Sequence, residues 1–464
     1  MNSLLNFESS AREFSGEWKV FAPFNKGMPV ETGYYRYSDL EPAIQAATLE
    51  KAKLAALSFE DRIKILKESF ELFRTNRKLL ADTVALELGR TPDDFENEWN
   101  QTERLWEVLI GIRAFDENVF ESRGITAIVG SSIWPLFYSI QFCAYSLLSG
   151  NPVILKPSEK ATLSVLRLFE LFRSQIPAWR AVQVLIGEKE VGRRLICHEQ
   201  VNTVVFQGSF EVGMRVKQDT LSQAGKEILL YLGAKNPAVI FDDASKKEAM
   251  DVLLKDSFLG AGQDCQSVSI AFIQNGILNE FVNELHLEMK KFKIGPPESG
   301  AFMGPMMDAS TADRYLKFIG ISEREGANIL MRGKPLPLNP PGCFVTPTLA
   351  LFEKRTPEEI RKSVSLQTEI LAPHLSVIGF QDEEELLSLL QPLTYGRSIS
   401  LWSANPKRLS RLAMKLPFGQ VLWNRSLLGS DPKETFQFRK RSGNNAVLGE
   451  SLLFKFLHQR TIQK

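Results

Sequence analysis

Lys156 and Glu159 close an apolar strand in Lys156-Pro157-Ser158-Glu159, and a lone thiol, Cys265, follows much later in Gly262-Gln263-Asp264-Cys265. An ammonium donor three residues from a carboxylate acceptor can grip the two hydroxyls of a ribose. Taken alone, such a pair is more commonly just a solvated ion pair. A thiolate at the end of a helix is a nucleophile toward carbonyl carbon, yet a free cysteine more often simply packs. Cys143, inside an apolar run, is read as core. A third feature is Val204-Val205-Phe206-Gln207-Gly208-Ser209, followed by a helix containing Gly213. A strand that ends in Gly-Ser and opens a helix presents backbone N–H groups and a positive dipole end to a pyrophosphate. The usual G-x-G-x-x-G spacing is absent, so a plain tight turn fits equally well.

Composition narrows the classes. A chain of 464 residues with formal net charge +1 and no basic stripe does not suit nucleic acid or an acidic membrane surface. No apolar run is long enough for a membrane span, and the N-terminal stretch lacks the basic flank and apolar core of a secretory leader. Cys143, Cys197, Cys265 and Cys343 lie far apart, as do the 4 histidines, so neither a disulfide framework nor a metal site is expected. A reducing cytoplasm is the expected location.

The elements that must position these groups follow from periodicity. Residues 40 to 112 read as helices, with a capping start at Ser58 and apolar residues Ile63, Leu66, Phe70 and Phe73 at three- and four-residue spacing. From Gly124 onward short apolar strands alternate with amphipathic helices: ITAIVG, PVILK, AVQVLIG, NTVVFQG and EILLYL lead into SVSIAFI and then VLWNRSL. Such alternation predicts parallel sheets covered by helices, in two α/β lobes joined near residues 232 to 244.

In this order the features resemble the aldehyde dehydrogenase superfamily. The segments that carry the likeness are NPVILKPSE, VVFQGSFEVG, LYLGAKNP, GQDCQSVSIAF, GPMMD, TEILAP and TYGRSIS. The resemblance implies a Rossmann-like NAD(P)-binding domain over 1–232, an α/β catalytic domain over 233–444, and a C-terminal segment, 445–464, returning to the arm or the cofactor domain. It implies a Cys265 thiolate that attacks an aldehyde, hydride transfer to nicotinamide, and release of a thioester. Lys156 and Glu159 fall on the adenosine-ribose contacts, Gly208, Ser209 and Gly213 on the pyrophosphate turn and its helix, and Glu369 on the nicotinamide-ribose contact. Glu159 would repel a 2′-phosphate, which favours NAD over NADP, although NADP also fits the family.

Three positions depart from the family, two of them at groups that take part in its chemistry. The Asn that donates to the developing oxyanion becomes Ile133, and the general-base Glu becomes Tyr231 in Leu230-Tyr231-Leu232-Gly233-Ala234-Lys235. Gly260 replaces a further Asn. Losing an oxyanion donor costs about 10²–10³ in rate, and losing a general base costs about 10²–10⁴. The expectations are therefore an NAD(P)-dependent oxidoreductase acting on a small aldehyde or, in reverse, on an acyl thioester, with coenzyme A as one acceptor. The alternative is a catalytically impaired nucleotide-binding relative with a binding or regulatory role. Esterase activity from the thiol alone is a weaker third reading. Tyr231 O–H could stand in as the oxyanion donor or simply fill space, and Phe137, Tyr138 and Phe142 suit either an apolar substrate or core. Only residues 113–123 separate the last N-terminal helix from strand ITAIVG, leaving little room for the family's oligomerisation arm and predicting a monomer or dimer.

Overall fold

The computed structural model describes residues 16–25, 29–35, 39–117, 119–429 and 431–460. Most of the N-terminal stretch read for a leader and the last four residues fall outside them.

An antiparallel pair, Gly16–Phe21 with Pro29–Tyr35, comes first, and four helices, Leu40–Ala55, Phe59–Thr75, Arg77–Leu88 and Pro92–Gly111, then precede the two large sheets. Ser58 caps the second by accepting from the Asp61 N–H, as its Ser-x-x-Asp spacing predicts. Thr91 and Asp94 form a reciprocal capping box at the fourth, with Pro92 in its first turn. Their apolar faces meet through Phe73 stacked on Trp99 at 4.1 Å and through Trp106, which is fully buried. All 14 residues of helix Pro135–Leu148 are buried, in keeping with a sequence that is largely apolar and carries no charge.

Two open sheets follow. The first runs in the order Gly443–Asn444, Glu227–Tyr231, Val201–Gln207, Ile125–Val129, Val153–Lys156, Val182–Val184. All pairs are parallel except the short first strand. Successive strands progress outward on one side of Ile125–Val129, then the chain jumps to Val201–Gln207 on its other side. Strand order thus reverses between those two strands. At such a point the connections at the carboxyl ends diverge and leave a crevice, the usual ligand position in open α/β sheets. The second sheet has seven strands: Asn328–Met331, Thr348–Phe352, His374–Phe380, Val268–Gln274, Asn236–Ile240, Ser398–Trp402 and Gln420–Trp423. It too is parallel apart from an antiparallel edge, Asn328–Met331.

The chain crosses between sheets in one short step, from Tyr231 to Asn236. It returns when Leu232 N–H donates to Ser442 C=O and Gly443 pairs with Tyr231. Phe438, Leu452, Leu453 and Phe456 then pack into the core of the first sheet. The end of the chain, Leu457–Gln459, pairs with a three-residue strand, Phe120–Ser122, inside the stretch where the family's arm was sought. Among the described residues no helix is long and apolar enough to cross a membrane, and no cluster of three His, Cys, Asp or Glu is arranged to hold a metal.

Candidate active site

Helix Lys246–Phe258 ends in a turn where Gly260, Ala261 and Gly262 have φ of 62°, 55° and 63°. A side chain at Gly262 would collide with the Ala372 carbonyl, so both the left-handed backbone and the close approach demand glycine there. The turn is pinned from both sides. Asn236 Nδ2 donates to the carbonyls of Cys265 and Ser267 at 2.8 and 3.1 Å. Gln263 donates to Gly260 and Pro305 carbonyls and accepts from the Met307 N–H at 2.8 Å. The result projects the Cys265 thiol into a cavity of ≈ 400 Å³ that also reaches Ile133, Gly208, Ser209, Tyr231 and Glu369.

Six of the nine residues singled out from sequence thus meet in one space. It lies at the carboxyl ends of Ile125–Val129 and Val201–Gln207, where strand order reverses. Cys265 is half-buried, and burial pushes its thiol up to about 12. The Arg397 guanidinium and a hydrogen bond from Tyr138 oppose that rise, whereas Asp264 and Glu369 add to it.

Ser209 caps helix Phe210–Asp219 by accepting from the Val212 N–H at 3.4 Å, so the helix start opens on the cavity. The Gly208 N–H is already bonded to the Tyr231 carbonyl. Gly213 does not reach the cavity. Its missing Cβ makes room for Leu232 instead, so it serves the packing of helix on strand. Lys156 is 3% exposed and donates to Glu159 Oε1 at 2.7 Å and to the Pro157 carbonyl at 3.0 Å. Glu159 lines a neighbouring cavity of ≈ 260 Å³, which shares Lys160 and Met307 with the first. The pair therefore lies one cavity away from the thiol, with the carboxylate oriented by the buried ammonium.

Glu369 Oε1 accepts from the Ala234 N–H at 2.7 Å. Burial raises its carboxyl to about 7, with Lys235 holding it back. Lys235 is itself driven down by burial, with its ammonium 5.4 Å from the Phe318 ring centre and no hydrogen-bond partner among the described residues.

The two departures from the family take clear forms. Ile133 presents only carbon to the cavity, and its N–H donates to Ser131 Oγ at 3.0 Å. Its position is fixed by Trp134, a non-glycine residue at φ 46°, and by Glu98, whose buried carboxylate accepts from the Leu136 and Phe137 N–H groups. Tyr231 lies between Phe142 and Phe438, with ring centres at 4.8 and 5.4 Å. Its hydroxyl donates to the Val447 carbonyl at 2.7 Å, so that hydrogen is engaged away from the thiol. The geometry makes Tyr231 a packing wedge rather than a stand-in donor.

Sequence inspection missed one contact to the sulfur. Tyr138, weighed earlier only as core or apolar substrate wall, places its hydroxyl 3.6 Å from Cys265 Sγ, and Arg397 Nη2 donates to that hydroxyl at 3.4 Å. The available signal was Arg397 itself, the one charge inside the otherwise uncharged stretch TYGRSIS.

With the site assembled, likeness to known proteins becomes informative. The chain matches the family described as "Aldehyde dehydrogenase family" over residues 11–462. Betaine aldehyde dehydrogenase of Bacillus subtilis (strain 168) is 27% identical over 439 residues, covering 88% of this chain and 88% of that protein. Among solved structures, the apo form of a point mutant of betaine aldehyde dehydrogenase from Staphylococcus aureus has a TM-score of 0.89 at 24% identity, covering 99% of this chain and 96% of that one. A complex of the Staphylococcus aureus enzyme with NAD+ gives 0.89 at 24% identity, covering 99% and 95%. At that identity the structural likeness establishes the fold, a pair of α/β lobes with mainly parallel sheets. Matched by the family along nearly its whole length, this chain belongs to the aldehyde dehydrogenase family.

Proposed function

We propose that the protein is an NAD(P)-dependent oxidoreductase that oxidises an aldehyde through a thioester on Cys265, or reduces an acyl thioester in reverse. The observation that carries this is the meeting of Cys265 and Glu369 in one ≈ 400 Å³ cavity at the strand-order reversal. The similar betaine aldehyde dehydrogenase and the neighbouring NAD+ complex point the same way.

The residues present fit a dinucleotide. Gln207 lines the cavity with a buried Oε1 that lacks a partner among the described residues. The start of helix Phe210–Asp219 suits a pyrophosphate, Glu369 a ribose hydroxyl, and the Lys156–Glu159 pair the second ribose. Glu159 would repel a 2′-phosphate, which supports NAD over NADP. When bound, the nicotinamide supplies the hydride acceptor.

Cys265 acts as the thiolate. Its sulfur bonds to the carbonyl carbon while the C=O π pair moves to oxygen, and loss of hydride from that carbon leaves a thioester. Water then gives the acid, or an external thiol such as coenzyme A gives an acyl thioester, and the Cys265 sulfur is regenerated. Glu369, raised to about 7, suits a group that alternates between accepting a ribose hydrogen bond and taking a proton. Nothing in the comparisons favours a binding-only relative.

Mixing the protein with NAD and a panel of aliphatic and aromatic aldehydes should generate NADH absorbance that disappears in Cys265→Ala. NAD binding by calorimetry, with no turnover of any aldehyde or acyl-CoA, would return the chain to a binding role. For assembly, the three-residue strands Phe120–Ser122 and Leu457–Gln459 leave little edge to share, which supports a monomer or dimer. Light scattering that shows a tetramer would contradict that.

A further inference from the structure

We propose that Tyr138 is a catalytic residue that donates a hydrogen bond to the Cys265 sulfur and to the oxyanion formed beside it, with Arg397 as the positioning residue that aims its hydroxyl. This rests on the thiol chemistry proposed above, and it gives the site the donor that Ile133 lacks.

The direction of the hydrogen bonds follows from donor counting once the sulfur is a thiolate, which has no hydrogen to give. A guanidinium has donors and no acceptor. At 3.4 Å, Arg397 Nη2 therefore occupies a lone pair of the Tyr138 oxygen and leaves the phenolic hydrogen for another partner. Among the described residues the other hydrogen-bond contact of that hydroxyl is Cys265 Sγ at 3.6 Å, a normal separation for sulfur. Tyr138 sits in the first turns of helix Pro135–Leu148, whose start is tied down by Glu98 through the Leu136 and Phe137 N–H groups. Phe137 meets its ring edge-on at 5.0 Å and Phe142 stacks on it at 6.0 Å. The hydroxyl is thus held in place before reaction, which is the condition for useful electrostatic stabilisation.

Arg397 is 2% exposed, and its Nε and Nη1 have no hydrogen-bond partner among the described residues. Its contact is the face of Phe438, with 5.3 Å from the guanidinium carbon to the ring centre. A buried cation without a bonded carboxylate is costly until a negative charge appears nearby. Thiolate formation at Cys265 creates that charge. When the sulfur attacks, an S–C bond forms, the C=O π pair moves to oxygen, and the charge passes to an atom two bonds from the sulfur. A donor already on the sulfur needs only a small shift to reach it. Tyr138 keeps its proton throughout, and the thiol's proton leaves to solvent before attack. The charged and titratable groups facing the thiol are Arg397 and Tyr138, which favour the thiolate, and Asp264 and Glu369, which oppose it.

The test needs neither cofactor nor aldehyde. The rate of Cys265 alkylation by iodoacetamide, followed by mass spectrometry from about pH 6 to about pH 10, reports the thiolate fraction directly. Tyr138→Phe and Arg397→Met should each alkylate about tenfold more slowly at a given pH, with the profile displaced to higher pH, and Arg397→Lys should restore part of the rate. Thermal melting identifies any variant that has lost its fold. If Arg397→Met is one of these, Tyr138→Phe, which removes a single oxygen, decides alone. In turnover, Tyr138→Phe should lower kcat by about 10²-fold with KM little changed. Wild-type alkylation across the pH range in folded Tyr138→Phe overturns the proposal. Absence of turnover in the unmodified protein would count against the oxidoreductase assignment, while the alkylation profile would still decide the role of Tyr138.

Discussion

The Tyr231 hydroxyl donates to the Val447 carbonyl at 2.7 Å, tying the end of strand Glu227–Tyr231 to the returning C-terminal segment. At the position that the sequence resemblance assigns to the family's general base, this chain has a structural bond. That substitution changes what the residue is for.

Tyr231→Phe should therefore act on stability. It removes one hydrogen bond to a partly buried carbonyl and keeps the ring between Phe142 and Phe438, so urea denaturation should show a loss of about 1 kcal/mol. Turnover should be unchanged. A fall of about a hundredfold in kcat with unaltered stability would show instead that the hydroxyl serves the reaction.

Ile133→Asn should raise activity. The side chain already faces the cavity, so an amide there supplies a donor near the reacting carbon, with a gain of up to about 10²-fold in kcat measured by NADH formation. Adding Tyr231→Glu supplies a carboxylate but removes the bond to Val447, so the double variant should melt earlier than Ile133→Asn alone. Unchanged kinetics in the double variant would mean these two positions do not align with the family's Asn and Glu.

Glu98 gives a pH prediction. Burial raises its carboxyl to about 7 from the 4.5 of an exposed glutamate. Between those values the folded chain holds more protons than the unfolded one, so this residue makes stability fall as pH rises from about 4.5 through about 7. Glu98→Gln keeps an acceptor for the Leu136 and Phe137 N–H groups and has no charge to bury. It should flatten that part of the slope and gain on the order of 1–3 kcal/mol relative to wild type at pH 8. An identical pH–stability curve for wild type and Glu98→Gln would contradict this.

Glu159→Gln tests cofactor choice. Removing the carboxylate removes its repulsion of a 2′-phosphate while leaving Lys156 in place, so the NADP to NAD affinity ratio in calorimetry should rise by about tenfold. An unchanged ratio would place the adenosine ribose elsewhere.

Much of this protein was legible in its sequence because the informative signals are local. Ser58 caps its helix by a three-residue reach, the run from Phe137 to Leu148 is largely apolar and uncharged on every face, and Cys265 follows a glycine turn that only a left-handed backbone can make. Periodicity of two and of 3.6 separates strands from helices along the α/β region, and the order of the matching segments carries the family likeness by itself.

What only the tertiary structure decided involves residues distant in the chain. Tyr138 and Cys265 are 127 positions apart, Tyr138 and Arg397 259 apart, and Tyr231 and Val447 216 apart. A side chain's type states which hydrogen bonds it can make, but which one it makes depends on the partner that packing brings within reach. Tyr231 had the chemistry of a donor to the oxyanion and was given a carbonyl instead. Tyr138 had the look of core filler and was given the sulfur.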